Sequence, residues 1–389
     1  MLDEKQTVVF LAFDLKFGLT YHLTQAALGL ARAMQQDPAR LIVCSSAGEQ
    51  NPGLWDALRR SGRDLETVCL EDGIDGLEPF LRSLVENGHK IVVHTQGFQQ
   101  LRRVKALRLG RPRQVRTVLA INSFSHRTRG KRLVKSLWMS IACRRYCDYV
   151  MFLSPYAADL FAASGGLFSR GRAGFLPLGV EPMRTDDGPG QPDHPVGRPD
   201  LRPIVKEDTF RLVYLANLTP GKRHDWLIRS AARVLAERPH LRLLLLGEGP
   251  LAQPLARQVD RMGLSGRILL PGRIDRGDVA WLLGNCQAGI VPSGCETFGH
   301  NYVEPMSAAL PVIGTRTGIG KALIQDFITG LGVRDGDVEG LARAMAWLAE
   351  NPEQAAEMGR NAARLVDQNN DWQSICQGYR RLYHYLLAA

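Results

Sequence analysis

Short apolar runs alternate with longer amphipathic segments along the first half of the chain. The apolar runs with the composition of strands are Val8–Phe13, Leu41–Ser45, Ile91–His94, Val115–Ile121 and Tyr149–Leu153. Segments with helical spacing, such as Leu23–Met34, lie between them. Because strands that are covered on both faces form nearly continuous apolar runs, this alternation predicts an α/β fold with a parallel sheet between layers of helices.

The alternation stops over residues 181–208 and then resumes. That stretch is rich in Pro, Gly and Asp and has almost no apolar periodicity, which is typical of a linker or a long surface loop. The chain has 389 residues, a length that favours two domains. We therefore predict an N-terminal domain over residues 1–180, a linker over 181–208, a second domain over 209–370 and a final helical segment over 371–389.

The later elements follow from the same pattern. The predicted strands are Phe210–Leu215, Leu241–Leu246, Ile268–Leu270 and Ala288–Val291, and the predicted helices are Asp225–Glu237, Leu251–Met262 and Val338–Leu348. The last segment, Trp372–Leu387, has the apolar spacing of one or two helices. Its predicted buried positions are Trp372, Ile375, Tyr379, Leu382, Tyr383 and Leu386.

Composition indicates an ordinary globular protein. Hydrophobic residues make up 45% of the chain and charged residues 23%, and no apolar run is long enough for a transmembrane helix. The N-terminus leads directly into a predicted strand, so we expect no signal peptide. The seven cysteines are scattered, and only Cys143 and Cys147 could share a helix face. We therefore expect free thiols in a reducing compartment rather than a zinc site.

The net charge of +10 is concentrated in one region. Residues 87–147 contain fifteen Lys or Arg and no Asp or Glu. Because a solvated surface normally mixes both signs, a field of one sign suggests a polyanionic partner such as anionic lipid, an acidic glycan or nucleic acid. We expect no nucleic acid, since neither interleaved exposed aromatic residues nor a known binding module is evident.

A helix predicted over Lys131–Tyr146 lies within this basic region. Its apolar positions are Leu133, Val134, Leu137, Trp138 and Ile141, and the flanking cations are Lys131, Arg132, Lys135, Arg144 and Arg145. Such a helix can lie in the interface of an anionic membrane, which would place the protein on the cytoplasmic leaflet. Alternatively, the apolar face packs into the N-terminal domain and the cations are simply hydrated.

Two acids eight residues apart, Glu296 and Glu304, flank a glycine where a strand should give way to a helix. Asn301 can cap this helix, with Glu304 in the capping-box position, and Pro305 fits near a helix start. The N–H groups at such a start favour a phosphate or another anion. A carboxylate beside them can accept hydrogen bonds from sugar hydroxyls, so the segment predicts a sugar-nucleotide site.

The segment from Glu296 to Glu304, with Pro-Ser before it and Leu-Pro-Val-Ile after it, resembles the E-x7-E signature of the retaining glycosyltransferases of family 4. The resemblance is strong from about residue 212 to residue 387 and weaker before that. It implies a GT-B fold, with two Rossmann-like domains facing a cleft and a C-terminal helix that crosses back to the N-terminal domain. It also implies that Glu296 lies near the donor sugar and that Glu304 holds the nucleotide ribose.

The same resemblance extends to the loop after the second domain's first strand. The family usually has Gly-Arg-Leu there, followed by a lysine, and the two cations neutralise the donor diphosphate. Lys222 matches the lysine, whereas Asn217 occupies the arginine position. Arg223 replaces a customary glycine and can restore a second positive charge. The carboxyl ends of parallel strands are the usual place for ligands in such folds.

Further donor contacts are implied after other strands. The loop that contains Glu248 resembles a family Gly-Asp-Gly-Pro loop, although the same residues are typical of a turn. The backbone at Arg273 and Ile274 would meet the nucleotide base. The helix start at Gly299, His300 and Asn301 would stabilise the departing diphosphate.

The N-terminal domain offers three candidates. Gly18 follows the first predicted strand, where the family loop faces the donor phosphate or the acceptor, but a single glycine also fits an ordinary strand-to-helix turn. Many members carry a catalytic histidine after the strand that here ends at Ile121. Asn122 occupies that position, and His126 follows four residues later, so either residue could face the site.

No metal or other cofactor is expected, because a helix end and basic side chains can stabilise the diphosphate. Asp335 and Asp337 imitate an Asp-x-Asp metal motif, but we interpret them as a turn and a helix cap.

The resemblance therefore implies a retaining hexosyltransferase. It would move a sugar from a nucleotide diphosphate sugar to a glycan or lipid-linked acceptor, in cell-envelope polysaccharide or glycolipid synthesis. One alternative is a GT-B epimerase, which would need acid–base carboxylates in the N-terminal domain; the acid-free stretch over 87–147 disfavours it. The other is a non-catalytic binder of nucleotide sugars or polyanions, which the nearly complete donor motif disfavours.

Overall fold

A computed structural model describes most of the chain as two compact units. The described residues are 5–11, 26–27, 29–34, 37, 39–46, 66–70, 72–121, 132–163, 172–180, 182–183, 205, 209–274, 276–296 and 298–389. The first unit contains Met1–Gly179 and Asn370–Ala389, and the second contains Val180–Asn369. The predicted linker over 181–208 lies almost entirely outside the described residues.

Thirteen strands run through the described residues of the two units. They are β1 (Gln6–Leu11), β2 (Arg40–Ser46), β3 (Glu66–Leu70), β4 (Lys90–Thr95), β5 (Val115–Ile121), β6 (Tyr149–Phe152), β7 (Ala173–Phe175), β8 (Phe210–Leu215), β9 (Leu241–Leu246), β10 (Ile268–Gly272), β11 (Ala288–Val291), β12 (Val312–Thr315) and β13 (Gly330–Val333).

Helices cover the sheets, and their bounds within the described residues are also defined. They are α1 (Leu77–Glu86), α2 (Phe98–Gly110), α3 (Arg132–Tyr146), α4 (Pro155–Ala163), α5 (His224–Glu237), α6 (Ala252–Arg261), α7 (Arg276–Gly284), α8 (His300–Ser307), α9 (Gly320–Leu323), α10 (Val338–Glu350), α11 (Pro352–Asn370) and α12 (Trp372–Ala388). None of these helices combines the length and apolar content that a membrane span requires.

The strands of each unit form one parallel sheet among the described residues. The order is β3-β2-β1-β4-β5-β6-β7 in the first unit and β10-β9-β8-β11-β12-β13 in the second. Both sheets grow outward from their first strand in one direction and then in the other, as in a doubly wound nucleotide-binding fold. The predicted α/β class with two parallel sheets is therefore confirmed.

The C-terminal helix α12 belongs to the first unit, as predicted. Ile375, Cys376, Tyr379 and Tyr383 pack with Val8 and Phe10 of β1 and other apolar residues in one buried cluster. Burying large aromatic side chains is a strong source of stabilisation, since each removes a wide apolar area from water. The helix is therefore part of the core of this unit.

Polar contacts fix α12 in register against the first sheet. Nδ1 of the fully buried His94 on β4 lies 2.6 Å from the Tyr383 hydroxyl. Near the end of the helix, Nε of Arg380 donates to Asp37 at 2.5 Å and His384 lies 2.7 Å from the same carboxylate. Burial raises the pKa of Asp37, but the bonds from Arg380 and His384 outweigh it and hold the pKa below its usual value.

We predict that His94 makes the first unit less stable in acid. Burial lowers the pKa of His94 from 6.5 to about 3. Since the unfolded chain takes up a proton below about pH 6.5 and the folded chain does not, stability should fall as the pH drops from about 6.5 to about 3. Denaturant unfolding of His94→Gln should show a pH slope that is smaller by up to about 1.4 kcal/mol per pH unit. Tyr383→Phe retains the histidine and should keep the wild-type slope, and equal slopes in all three proteins would contradict this role.

Candidate active site

Two loops lie side by side at the carboxyl edge of the second sheet. One follows β8 and continues into a 3-10 turn over Pro220–Lys222, and the other follows β11 and leads into α8. β8 and β11 are adjacent in the sheet although they are far apart in sequence, because the strand order reverses between them. Ligands of doubly wound folds bind at this kind of switch point.

Tyr214 on β8 connects the two loops through hydrogen bonds of its hydroxyl. Its ring is completely buried, and its hydroxyl donates to the Lys222 carbonyl at 3.1 Å and lies 2.8 Å from the Ser293 hydroxyl. Burial and the nearby charge of Glu296 raise the pKa of Tyr214 well above its usual value, so the hydroxyl stays protonated. The backbone N–H of Gly294 also donates to the Gly221 carbonyl, at 3.3 Å. The position of Lys222 is therefore coupled to the loop that carries Glu296.

Lys222, Glu296 and Asn301 form a polar cluster. The Lys222 ammonium is paired with Oε1 of Glu296, and the Asn301 side-chain amide donates to the same oxygen at 3.0 Å. The Glu296 side chain is 10% exposed and that of Lys222 is 25% exposed. Two carboxylate bonds of this kind, with one charged donor, hold Glu296 in place and keep a cation beside the start of α8.

The start of α8 differs from the capping box that the sequence predicts. The helix begins at His300, and Gly299 precedes it with a φ of 100° and without a side-chain cap. Asn301 lies inside the helix, where its amide donates to Glu296, and Glu304 follows in the next turn. Glu304 is half-buried and lies five residues after Gly299, beyond the capping-box position.

Pro305 also lies inside α8 rather than near its start. Its ring packs so closely on β11 that a Cβ added to Gly289 would lie 2.8 Å from it. Proline normally avoids the inside of a helix because it lacks an N–H to donate. Here the packing of the Pro305 ring on the sheet outweighs that preference.

Tyr302 fixes α8 to a third loop that sequence reasoning missed. Its hydroxyl donates to the Thr315 carbonyl and lies 3.2 Å from the Thr317 hydroxyl. A Cβ on Gly299, Gly314 or Gly320 would lie within 2.9 Å of its ring. The Gly-rich segment after β12 could have been recognised as a loop in the sequence, but its contact with Tyr302 depends on the strand order.

Arg223 lies beside the same loops. It has a φ of 58°, in the left-handed region that costs a side-chain-bearing residue energy. Its guanidinium stacks at 4.2 Å over Trp226, with Asp335 4.0 Å away. A Cβ on Gly294 would lie 3.1 Å from Nε of Arg223, so this cation reaches the loop after β11. The left-handed backbone explains why a glycine is the easier residue at this position.

The loop around Glu248 supports the loop after β8. Gly247 and Gly249 have φ values of 134° and 154°, and a Cβ on them would lie 2.1 Å and 2.6 Å from carbonyl oxygens of residues 216 and 218. The Leu218 N–H donates to the Glu248 carbonyl at 2.8 Å. The glycines are therefore needed for close backbone packing, whatever else the loop does.

The remaining predicted donor residues of this unit lie around these loops. Asn217 is exposed, and the exposed side chains of Glu248 and Arg273 face each other at 3.6 Å. Ile274 is partly buried against an apolar cluster, and His300 packs edge-on against Phe298 at 4.9 Å between ring centroids.

Three predicted residues of the N-terminal unit, Gly18, Asn122 and His126, lie outside the described residues. Asp337 is the N-cap of α10 and accepts from the Gly340 N–H at 2.6 Å, as its interpretation as a helix cap predicts. Within the described part of the chain, no group of three or more His, Cys, Asp or Glu is placed to hold a metal ion.

Residues 200–365 match the family described as Glycosyl transferases group 1. N-acetyl-alpha-D-glucosaminyl L-malate synthase of Bacillus anthracis is 28% identical over 183 residues, which cover 47% of each chain. A GDP-mannose-dependent alpha-(1-6)-phosphatidylinositol monomannoside mannosyltransferase of Mycolicibacterium smegmatis is 27% identical over 241 residues, or 58% of this chain and 59% of that protein. The chain thus spans about half the length of these curated relatives.

The similarity in structure extends over nearly the whole chain. Anabaena Alr3699/HepE in complex with UDP matches with a TM-score of 0.76 and 19% identity, covering 97% of this chain and 100% of that chain. At this identity the match shows the fold alone, and it confirms the predicted GT-B architecture. The chain therefore has the fold of the GT-B glycosyltransferases, and its residues 200–365, which carry the site described above, match the family of group 1 glycosyl transferases.

Proposed function

We propose that this chain is a retaining glycosyltransferase that moves a hexose from a nucleotide diphosphate sugar to a glycan or lipid-linked acceptor. The cluster of Lys222, Glu296 and Asn301 at the switch point of the second sheet is its main support. This cluster lies within the segment that matches the group 1 glycosyl transferases. The names of the two relatives, a synthase of a glucosaminyl malate and a mannosyltransferase, support the same reaction class.

The second unit would bind the donor. The Lys222 ammonium and the N–H groups of the first turn of α8 would lie beside the diphosphate, where negative charge grows as the sugar–phosphate bond breaks. Glu304 would accept hydrogen bonds from the ribose hydroxyls. UDP bound to the Anabaena protein supports a nucleotide ligand, and we propose that no metal or further cofactor is required.

Glu296 would orient the sugar rather than attack it. Among the described residues, both of its donors reach Oε1, so Oε2 is the oxygen that we expect to accept from a sugar hydroxyl. A carboxylate whose charge is already shared with an ammonium and an amide is a weak nucleophile. The acceptor oxygen would instead bond to the anomeric carbon on the face that the diphosphate leaves, and a phosphate oxygen would take the acceptor proton.

The acceptor and the cellular role are proposed from weaker support. The phosphatidylinositol monomannoside in the name of the mycobacterial relative favours a lipid-linked acceptor in cell-envelope glycolipid or polysaccharide synthesis. We place the reaction in the cytoplasm or on the inner face of the cell membrane, since nucleotide sugars are cytoplasmic substrates.

Lys222→Ala tests the proposed reaction. Wild-type protein should bind one of a panel of UDP-, GDP- and ADP-hexoses and release the nucleotide diphosphate when a suitable acceptor is supplied. The variant should lose about 10²–10³ in turnover, since it removes one group that stabilises the developing charge, and donor affinity should change less. Lys90→Ala is the matched control, because it removes an exposed lysine at the amino end of β4 in the other unit.

Two outcomes would contradict the transferase proposal, and a third would contradict only the role of Lys222. Conversion of the donor to an epimer without any acceptor would indicate an isomerase. Donor binding without turnover across a broad panel of glycan and lipid-linked acceptors would indicate a binding protein. Near-normal turnover in Lys222→Ala would show that Lys222 does not stabilise the departing diphosphate.

Glu304→Ala should weaken donor binding without unfolding the protein. A hydrogen bond to a charged acceptor is worth about 1.5–3 kcal/mol, so the Kd measured by calorimetry should rise about 10-fold to 100-fold. Because Glu304 lies beyond the capping-box position of α8, the melting temperature should change less than the Kd. Glu357→Ala removes an exposed acid from α11 and should leave the Kd unchanged. An unaltered Kd in Glu304→Ala would contradict the ribose assignment.

Arg223→Gly should separate stability from turnover. The glycine relieves a left-handed backbone that costs about 1–2 kcal/mol, while the lost stacking on Trp226 is worth about 0.5–1 kcal/mol. The melting temperature should therefore stay the same or rise, and turnover should fall about tenfold if Arg223 provides the second cation. Phe327→Gly is the matched control, since Phe327 has a φ of 60° and packs on Trp347. A lower melting temperature with unchanged turnover would make Arg223 a structural residue.

A further inference from the structure

One side of the first unit combines exposed apolar residues with cations. We call it the α2–α3 surface, and its residues are Arg102 and Lys105 of α2 with Leu137, Trp138, Ile141, Arg144 and Arg145 of α3. The side chains of Leu137, Trp138 and Ile141 are 60%, 37% and 47% exposed. Scattered apolar residues are common on protein surfaces, but three large ones on adjacent turns of one helix are not.

Helical spacing places these residues of α3 on a single face. Leu137, Ile141 and Arg145 are four residues apart, and Trp138, Ile141 and Arg144 are three apart, so they lie one above another. The opposite face, with Met139, Ala142 and Cys143, packs in an apolar cluster of the first unit. The alternative in which the apolar face packs into the domain is therefore wrong for Leu137 and Ile141, whereas Trp138 packs in part on Phe98.

Trp138 is held at the boundary between α2 and α3. Its ring meets Phe98 edge-on at 5.5 Å, and the Arg102 guanidinium lies 5.8 Å from the ring centroid. Lys105 lies 5.9 Å from the Tyr146 ring in the same way. An indole that is part apolar and part solvated, with a cation beside it, has the properties of residues that anchor proteins in a bilayer interface.

The structure also shows which cations of the basic region are neutralised. Arg108 and Arg116 pair with the buried carboxylate of Asp148, at 2.6 Å and 3.2 Å, and Arg103 pairs with Asp75. Among the described residues, Arg102, Lys105, Arg144 and Arg145 form no ion pair with a carboxylate. Lys90, Arg111 and Arg113 are also exposed without an ion pair among the described residues, but it is Arg102, Lys105, Arg144 and Arg145 that lie on the same two helices as Leu137, Trp138 and Ile141. Lys131 lies outside the described residues, as do the side chains of Arg132 and Lys135.

We propose that the α2–α3 surface docks on an anionic lipid bilayer. Anionic headgroups would pair with the four cations, and the three apolar side chains would enter the boundary between headgroups and acyl chains. A soluble polyanion such as an acidic glycan could use the same cations, but it would leave the apolar side chains in water. The match of both charge and apolar area therefore favours a membrane surface.

Vesicle co-sedimentation of the full chain tests this surface. Wild-type protein should bind vesicles of equal parts phosphatidylcholine and phosphatidylglycerol, should bind pure phosphatidylcholine weakly, and should be released as the salt concentration rises. Arg144→Glu with Arg145→Glu should lower the partition coefficient by about 30-fold or more, given about 1 kcal/mol for each cation near the surface. Leu137→Ser with Ile141→Ser should lower it by about tenfold or more.

A charge-matched pair of changes serves as the control. Arg257→Glu with Arg261→Glu on α6 changes the net charge by the same amount on exposed residues of the other unit, and vesicle binding should be nearly unchanged. An equal loss in this control, or no loss in the Leu137 and Ile141 variant, would overturn docking through this surface. Binding to heparin without binding to anionic vesicles would identify a soluble polyanion instead. Because the vesicle experiment contains no nucleotide sugar, a lack of vesicle binding would not contradict the proposed transferase activity.

Discussion

Parallel pairing of β8 with β11 is the constraint on which the candidate site depends. Parallel neighbours cannot be joined by a tight turn, so the chain must leave each strand at the same edge of the sheet and return by a crossover. The loops that follow β8 and β11 consequently meet, although many residues separate them in sequence. Lys222 and Glu296 form an ion pair only because of this strand order.

Buried hydroxyls and close backbone packing hold these loops in place. Tyr214 bonds to both loops, and Tyr302 ties α8 to the loop after β12. Several glycines are required because another chain segment occupies the space of a Cβ, as at Gly247 beside the carbonyl of residue 216. Such packing leaves few alternative positions for Lys222 and Glu296, which is the pre-organisation that charge stabilisation in a reaction requires.

Two helices of the first unit, α12 and α3, differ in how much of their apolar surface they bury. α12 buries its apolar stripe against β1 and β4 and is held by His94 and Asp37. α3 buries one face and leaves Leu137, Trp138 and Ile141 exposed beside cations that have no carboxylate partner in the described part of the chain. Apolar residues at helical spacing predict a helix in both cases. This spacing does not say which face the rest of the unit covers.

The sequence by itself determined the α/β class, most strand positions and the loops that carry Lys222 and Glu296, because buried strands and their boundaries depend on local composition. It missed β3, β7, β12 and β13, and it assigned Asn301 to a helix cap. Only the tertiary structure decided that the Asn301 amide binds Glu296, that Tyr302 packs on three glycines and that Arg223 reaches Gly294. A polar side chain can satisfy its hydrogen bonds locally or across the fold, and the sequence does not determine which partner lies closer once the sheet has formed.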